Sequence, residues 1–153
     1  MLKKQIEQDL KTALLAGDKE RVLTLRSIKS AILYVEVAKG AREDGLPEEE
    51  MMIILSKEAK KRQESADLYK QGGSEDRAAK ELAEKAIIEG YLPKQLSDDE
   101  LLSIVDEAMS QVGASGMQAM GQVIGVVKQK AGAAADGARI AKLVKERLLS
   151  LGL

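Results

Sequence analysis

The 153-residue sequence contains no cysteine, no histidine, no phenylalanine and no tryptophan, and it has only two prolines. The absence of cysteine excludes disulfide bonds and thiolate metal sites. Because histidine is also absent, the chain lacks the commonest general base and the commonest metal ligand of enzymes. Three tyrosines are the only aromatic residues. A hydrophobic core must therefore be built from aliphatic side chains and methionine.

The sequence also lacks a charge of one dominant sign and a long apolar run. Twenty-four basic residues face 25 acidic ones, for a net charge of −1. No global field attracts the chain to nucleic acid or to a membrane surface, so any such binding must be local. The first residues, MLKKQIEQDL, contain no apolar targeting segment, and no run approaches the roughly 18–20 apolar residues of a membrane span. We expect a cytoplasmic protein without a membrane partner.

The residues that are present favour helices. Alanine, leucine, glutamate, lysine and methionine are strong helix formers, and apolar residues recur at helical spacing, as at Leu2, Ile6 and Leu10. No period-two alternation persists long enough to require a strand. The sequence therefore predicts an all-α fold.

The first part of the chain predicts about four helices. Asp18 is suited to cap the second helix, and Pro47 to occupy the first turn of the third. The third helix is expected to stop at Gly72 and Gly73, and Ser74 is a plausible cap for the fourth.

The stretch EGYLPKQLSDDELLSIV marks a predicted domain boundary. Gly90 is suited to end the fourth helix, Pro93 forbids its continuation, and Ser97 with Glu100 has the pattern of a capping box. The pattern predicts an N-terminal helical domain at 1–90 and a three-helix tail domain at 91–153.

Several motifs resemble a known family. YLPKQLS at 91–97, MGQVIGVVKQKAG at 120–132 and ADGARIAKLVKERL at 135–148 resemble the helical tail domain of the B subunit of the glutamine-dependent tRNA amidotransferases. LRSIKSAI at 25–32 and KKRQES at 60–65 resemble the stand-alone YqeY proteins, in which a helical domain precedes that tail. The resemblance covers essentially the whole chain.

This resemblance implies a role near tRNA-dependent amidation, in which the tail domain of the large enzyme helps to hold the tRNA. It does not imply the chemistry, because the phosphorylation and transamidation centre of the B subunit lies in a separate domain. The Ser-Ser-Lys arrangement of the partner amidase is absent as well. No catalytic residue, cofactor or metal ligand set is visible, and neither GxxxxGK[ST] nor GxGxxG occurs.

Basic residues near the end of the chain are the candidate RNA-binding residues. They follow a more acidic segment at 98–107, so one face of the tail is expected to be cationic and able to meet phosphates. An ordinary solvated face is the alternative. The six candidates are Lys128, Lys130, Arg139, Lys142, Lys145 and Arg147.

Structural roles are expected for the other polar and small residues of the tail. The acidic residues at 98–100 and 106–107 are interpreted through helix capping and the helix dipole. Asp136 is expected to occupy a helix N-cap, which disfavours an anion there. Gly121 and Gly125 are predicted to admit a neighbouring helix, and Met117 and Met120 to fill the core.

A second basic run, at 57–62, lies in the N-terminal part. Arg62 shares the face of Leu55 and is predicted to pair with a carboxylate such as Glu36 or Glu84. Arg26 is expected to behave similarly.

Three functional hypotheses follow. The first is an accessory protein whose tail binds tRNA or a tRNA-processing enzyme, with no DNA partner. The second is a protein-interaction module that uses an apolar surface near the boundary. The third, by family association only, is a carbon–nitrogen ligase with glutamine as nitrogen donor.

Overall fold

The computed structural model describes residues 1–151, and this part of the chain contains helices and no strands. Short 3-10 turns at Met117–Ala119 and Gly132–Ala134 flank the sixth helix. The prediction of an all-α fold with four helices followed by three is confirmed. The helices are α1 (Leu2–Ala16), α2 (Lys19–Ala38), α3 (Glu48–Gln71), α4 (Glu75–Glu89), α5 (Asp98–Val112), α6 (Met120–Ala131) and α7 (Gly137–Leu151).

The helix ends follow the local chemistry of the sequence. The Asp18 side chain accepts a hydrogen bond of 3.2 Å from the Arg21 backbone N–H at the start of α2. Ser97 and Glu100 form the predicted capping box of α5, and Gly90 is the C-cap of α4. Ser74 occupies the N-cap of α4, but its side chain makes no capping hydrogen bond. The predicted boundaries therefore hold to within a few residues.

The chain forms two compact units, and the first covers Met1–Pro93. Tyr91 and Leu92, which follow the predicted boundary at residue 90, pack against the core of this first unit. The second unit begins at Lys94.

The first unit is built from two antiparallel helix pairs. The start of α1 meets the end of α2, because Lys3 Nζ lies 3.1 and 3.0 Å from the two carboxylate oxygens of Glu36. Helix α3 packs along α4, and α2 contacts both of them. Fully buried aliphatic side chains from all four helices fill the centre, each contributing roughly 1.5–3 kcal/mol by its removal from water. They include Ile6, Leu25, Ile28, Leu55 and Ile88.

The second unit is a three-helix arrangement. Asp98 and Arg139 are paired near the starts of α5 and α7, and Asp106 and Arg147 are paired further along the same two helices. Because both pairs run in the same direction, α5 and α7 are parallel, with α6 returning between them. Their shared core is aliphatic and includes Leu101, Val105, Val123, Val127, Ile140, Val144 and Leu148.

Candidate nucleic-acid interface

The six predicted RNA-binding residues all lie on the last two helices of the second unit. Lys128 and Lys130 occupy the last turn of α6, where positive charge also complements the helix dipole. The other four lie along α7, from Arg139 to Arg147. The structure therefore brings the predicted residues together on two adjacent helices, but it gives them two different environments.

Three of the six side chains are engaged with α5 and the residues just before it. Arg147 makes a bidentate contact with Asp106, with Nε and a terminal nitrogen 2.8 and 2.9 Å from the carboxylate oxygens. Arg139 donates to Asp98 at 2.9 Å and to the Leu96 carbonyl at 2.6 Å, and Lys130 lies 3.5 Å from Glu107. The Asp106 carboxylate raises the pKa of Arg147 by hydrogen bonding and by charge. These three cations serve to join helices, so their charge is locally compensated.

The remaining three basic residues form a different set, which we call the free lysines: Lys128, Lys142 and Lys145. All three are exposed, and none forms an ion pair with a carboxylate among residues 1–151. Lys142 and Lys145 are one turn apart on α7. Lys128 lies beside the first residue of that helix, because a Cβ added at Gly137 would lie 3.4 Å from its Cε atom. These ammonium groups are available to an anionic partner.

An exposed face of α6 adjoins Lys128. The prediction that Gly121 and Gly125 admit a neighbouring helix is wrong, because a Cβ added at either residue would meet no atom within 4 Å. Both glycines are exposed, as are Gln122 and Gln129 beside them. We call these four residues and Lys128 the glycine face. It is a smooth polar surface onto which a partner's backbone can approach closely.

The acidic residues of the second unit have structural roles, as expected, but by two mechanisms. At the start of α5 the Glu100 backbone N–H donates to the Ser97 hydroxyl, and the Ser97 N–H donates to the Glu100 carboxylate. Hydrogen bonding to Ser97 lowers the pKa of Glu100. Asp106 and Glu107 lie within α5 instead of in its first turn, and they act through ion pairs to α7 and α6.

Sequence-based expectations for Asp136 and for two methionines of the second unit can be compared with the structure. The Asp136 carbonyl accepts a hydrogen bond of 3.0 Å from the Ile140 N–H, which places Asp136 at the helix N-cap position. Met120 packs against the core, as expected. The expectation for Met117 is wrong, because its side chain is exposed at the start of the 3-10 turn.

In the basic run of the first unit, Arg62 links α3 to its neighbouring helices. Arg62 donates to Glu58 at 2.6 Å and to the Ser27 hydroxyl at 2.8 Å, and its Nε lies 3.5 Å from Glu84. The predicted pairing with Glu84 is confirmed. The alternative partner, Glu36, instead accepts both hydrogen bonds from Lys3.

Arg26 departs from the expectation. Its side chain is exposed on α2 and forms no ion pair with a carboxylate in the described part of the chain. The two carboxylates that line the same cavity as Arg26 have other partners. Glu7 lies 3.9 Å from Lys29, and Glu36 is held by Lys3.

Two features of residues 1–151 bear on other kinds of site. No group of three or more acidic side chains in that range is placed to hold a metal ion. None of the helices from α1 to α7 has both the length and the apolar composition needed to cross a membrane.

The sequence matches one known family over almost all of its length. A profile of the family described as Yqey-like protein matches residues 3–148. The chain is 33% identical over 130 residues to "Altered inheritance of mitochondria protein 41, mitochondrial" of Meyerozyma guilliermondii, covering 80% of this chain and 66% of that protein.

A protein with the same printed name from Eremothecium gossypii is 33% identical over 87 residues, covering 57% of this chain and 46% of that protein. The chain thus spans just under two thirds of the first relative's length and about half of the second's. Both names place those relatives in mitochondria, and neither states an activity.

Proposed function

Because the chain belongs to the YqeY family, we propose that its second unit binds structured RNA, with tRNA as the first candidate, through the free lysines. One observation carries this proposal. Of six basic residues on α6 and α7, three are compensated by carboxylates of α5, whereas Lys128, Lys142 and Lys145 are exposed and have no such partner among the described residues. Lysines that neutralise phosphates supply affinity without reading sequence.

The glycine face supports the same proposal. A glycine inside a helix costs about 1 kcal/mol relative to alanine. Gly121 and Gly125 incur this cost on α6, although no neighbouring atom lies within 4 Å of the added Cβ. Packing therefore does not explain them. The close approach of a sugar–phosphate backbone to α6 beside Lys128 would explain the two glycines. The exposed Gln122 and Gln129 side chains are suitable hydrogen-bond partners for such a backbone.

The role proposed for the protein is that of an accessory factor in tRNA-dependent chemistry, acting on tRNA itself or on a complex of tRNA with its processing enzyme. The resemblance of the tail motifs to the amidotransferase B subunit supports this role. A cytoplasmic location is part of the proposal, although two relatives carry mitochondrial names. The competing hypothesis is a protein-interaction module with an apolar surface near residue 90. The RNA interface is preferred to it because the exposed large apolar side chains of the described chain are at other positions in the sequence.

Charge reversal tests the interface. The triple variant Lys128→Glu, Lys142→Glu, Lys145→Glu should weaken tRNA binding strongly at low salt. If each lysine contacts a phosphate, the slope of log K against log salt should fall by about two to three. The matched control reverses Lys11, Lys57 and Lys80, which are exposed lysines of the first unit. Equal losses in both triple variants, with unchanged circular dichroism, would assign the binding to net charge and contradict the proposed interface.

A further inference from the structure

The first unit carries an elongated groove between α1 and α2. Its larger part has a volume of about 530 Å³ and is lined by residues of α1 and α2 together with Arg42. A second cavity of about 310 Å³ lies towards the α1–α2 turn, and Arg26 lines both. The two cavities lie along the same pair of helices, and we call them together the α1/α2 groove.

The floor of the α1/α2 groove is apolar and its walls are partly exposed. Ile6 and Ile32 form part of the floor and are almost fully buried. Leu14, Leu23 and Leu33 line the groove with 49%, 56% and 42% of their surface exposed. Single exposed leucines are ordinary in proteins, but three along one depression indicate a surface that a partner can cover.

The rim of the groove is cationic, in contrast to the chain as a whole. Five basic residues and two acidic residues line the two cavities. Both acidic residues are already satisfied, because Glu36 is held by Lys3 and Glu7 lies 3.9 Å from Lys29. Lys19, Arg26 and Arg42 are exposed and form no ion pair with a carboxylate within residues 1–151. The groove therefore carries uncompensated positive charge along its length.

From this combination we infer that the α1/α2 groove binds an acidic amphipathic helix of a partner protein. Leucine and isoleucine side chains of the partner would cover the exposed leucines, and its flanking aspartates and glutamates would meet Arg26 and Arg42. Helices dock in grooves in this manner through apolar anchors at i, i+3 or i+4, and i+7. Helix α1 has 15 residues, so the groove is about 22 Å long and accommodates about four helical turns.

Other occupants fit the groove less well. Single-stranded nucleic acid is usually held by aromatic stacking as well as by charge, and none of the lining residues is aromatic. A second copy of the same groove would place uncompensated cations against cations. The inference concerns a surface of the first unit and is independent of the proposed RNA interface on the second.

A displayed library of helical peptides of about 14 residues tests this inference, with the whole chain as bait. The enriched peptides should combine apolar residues at helical spacing with flanking aspartate or glutamate. Each enriched peptide is then labelled and its binding measured by fluorescence anisotropy. Enrichment of neutral or basic peptides would overturn the inference. So would an enrichment by the original chain that is no greater than the enrichment by the Arg26→Glu, Arg42→Glu variant used as bait.

Matched variants locate the binding. The double variant Arg26→Glu, Arg42→Glu should lower the affinity for the enriched peptide by about tenfold or more. The double variant Arg26→Gln, Arg42→Gln should lower this affinity less. Lys57→Glu with Lys80→Glu, on α3 and α4, should change the affinity by less than about twofold. Circular dichroism should be unchanged in all three, since these side chains are exposed. The inference would be contradicted if peptide binding survived in both arginine variants. It would also be contradicted if a synthetic RNA oligonucleotide displaced the peptide only when Arg26 and Arg42 are intact.

Discussion

The hydroxyl of Tyr91 donates a hydrogen bond of 2.5 Å to the carboxylate of Asp9, a residue 82 positions earlier in the chain. This contact fastens the segment that follows α4 to the surface of α1. Burial raises the pKa of the Tyr91 hydroxyl, and the hydrogen bond to Asp9 raises it further, against a smaller opposite effect of Arg21. The hydroxyl therefore remains protonated and able to donate at neutral pH.

Loss of this hydroxyl should destabilise the first unit. We expect Tyr91→Phe to lower the free energy of unfolding by about 1 kcal/mol, because the bond is to a charged acceptor but is only partly buried. Denaturant unfolding of the whole chain measures the change. Tyr34→Phe is the matched control, since Tyr34 is 78% exposed and its hydroxyl forms no hydrogen bond with any residue in the range 1–151. Equal stability of the two variants would show that the Tyr91 contact contributes nothing.

Alanine substitutions on the glycine face should separate stability from function. Gly121 and Gly125 have ordinary helical backbone angles and open space around them, so Gly121→Ala and Gly125→Ala should each stabilise α6 by about 0.5–1 kcal/mol. Gly113→Ala is the opposite control, because Gly113 has a φ of +70° and should lose stability on substitution.

The same alanine variants bear on RNA binding. If an RNA backbone lies against α6, the stabilised Gly121→Ala and Gly125→Ala proteins should bind tRNA more weakly than the original chain. Direct titration of each variant with tRNA makes the comparison. Variants that are more stable and bind equally well would remove the glycine face from the proposed interface, while leaving the free lysines in place.

The capping box at the start of α5 should make stability depend on pH. The folded-state pKa of Glu100 lies below its ordinary value of 4.5, because of hydrogen bonding to Ser97. A depressed carboxyl pKa stabilises the fold above the ordinary value, and this stabilisation is lost as the pH falls through the folded-state value. Relative to Glu100→Gln, the original chain should lose more stability between about pH 7 and about pH 3.

A second substitution checks the cause of that pH dependence. A Ser97→Ala background removes the hydroxyl that makes the largest contribution to lowering the pKa of Glu100 but keeps the backbone N–H that donates to its carboxylate. The difference between Glu100 and its glutamine variant should therefore shrink without vanishing. Thermal unfolding at both pH values gives the comparison. An equal difference with and without the Ser97 hydroxyl would assign the effect to the backbone N–H of residue 97 and the helix dipole instead of the hydroxyl.

The segment between α4 and α5 should be the first site of proteolysis if the two units fold as separate domains. Gly90, Pro93 and Lys94 are exposed in this segment, and exposed connecting segments are preferred cleavage sites. Limited trypsin digestion should cut between 88 and 98, with Lys94 the available basic residue. A first cut within 48–70 or 138–150, or an unfolded fragment beginning at Gln95, would contradict the division into two domains.

Much of the fold could be predicted because it depends on local signals. The ends of α2, α4 and α5 follow from Asp18, Gly90 and Ser97, whose chemistry acts within one helical turn. The aliphatic stripes predict the positions of the helices, because each stripe has the 3.6-residue period of an amphipathic helix. A sequence of this kind needs little long-range information to define its elements.

The environment of the basic residues could not be predicted in the same way, because it depends on contacts between distant segments. Sequence reasoning grouped six cations, whereas α5 compensates three of them. A signal was present, since Asp98 and Arg139 have the same separation of 41 residues as Asp106 and Arg147. Two complementary charges repeated at equal spacing on two helices are typical of a parallel pair. The openness around Gly121 has no comparable signal, because a glycine is compatible with both a crowded and an empty neighbourhood.

Titration of the unmodified chain with tRNA over a range of salt concentrations tests the central claim most directly. With three phosphate contacts from Lys128, Lys142 and Lys145, binding should be measurable at low salt, and log K should fall against log salt with a slope of about −2 to −3. A total charge of −1 gives no general attraction, so such a slope requires a local cationic surface. No measurable binding at low salt, or binding that is insensitive to salt, would contradict the RNA interface.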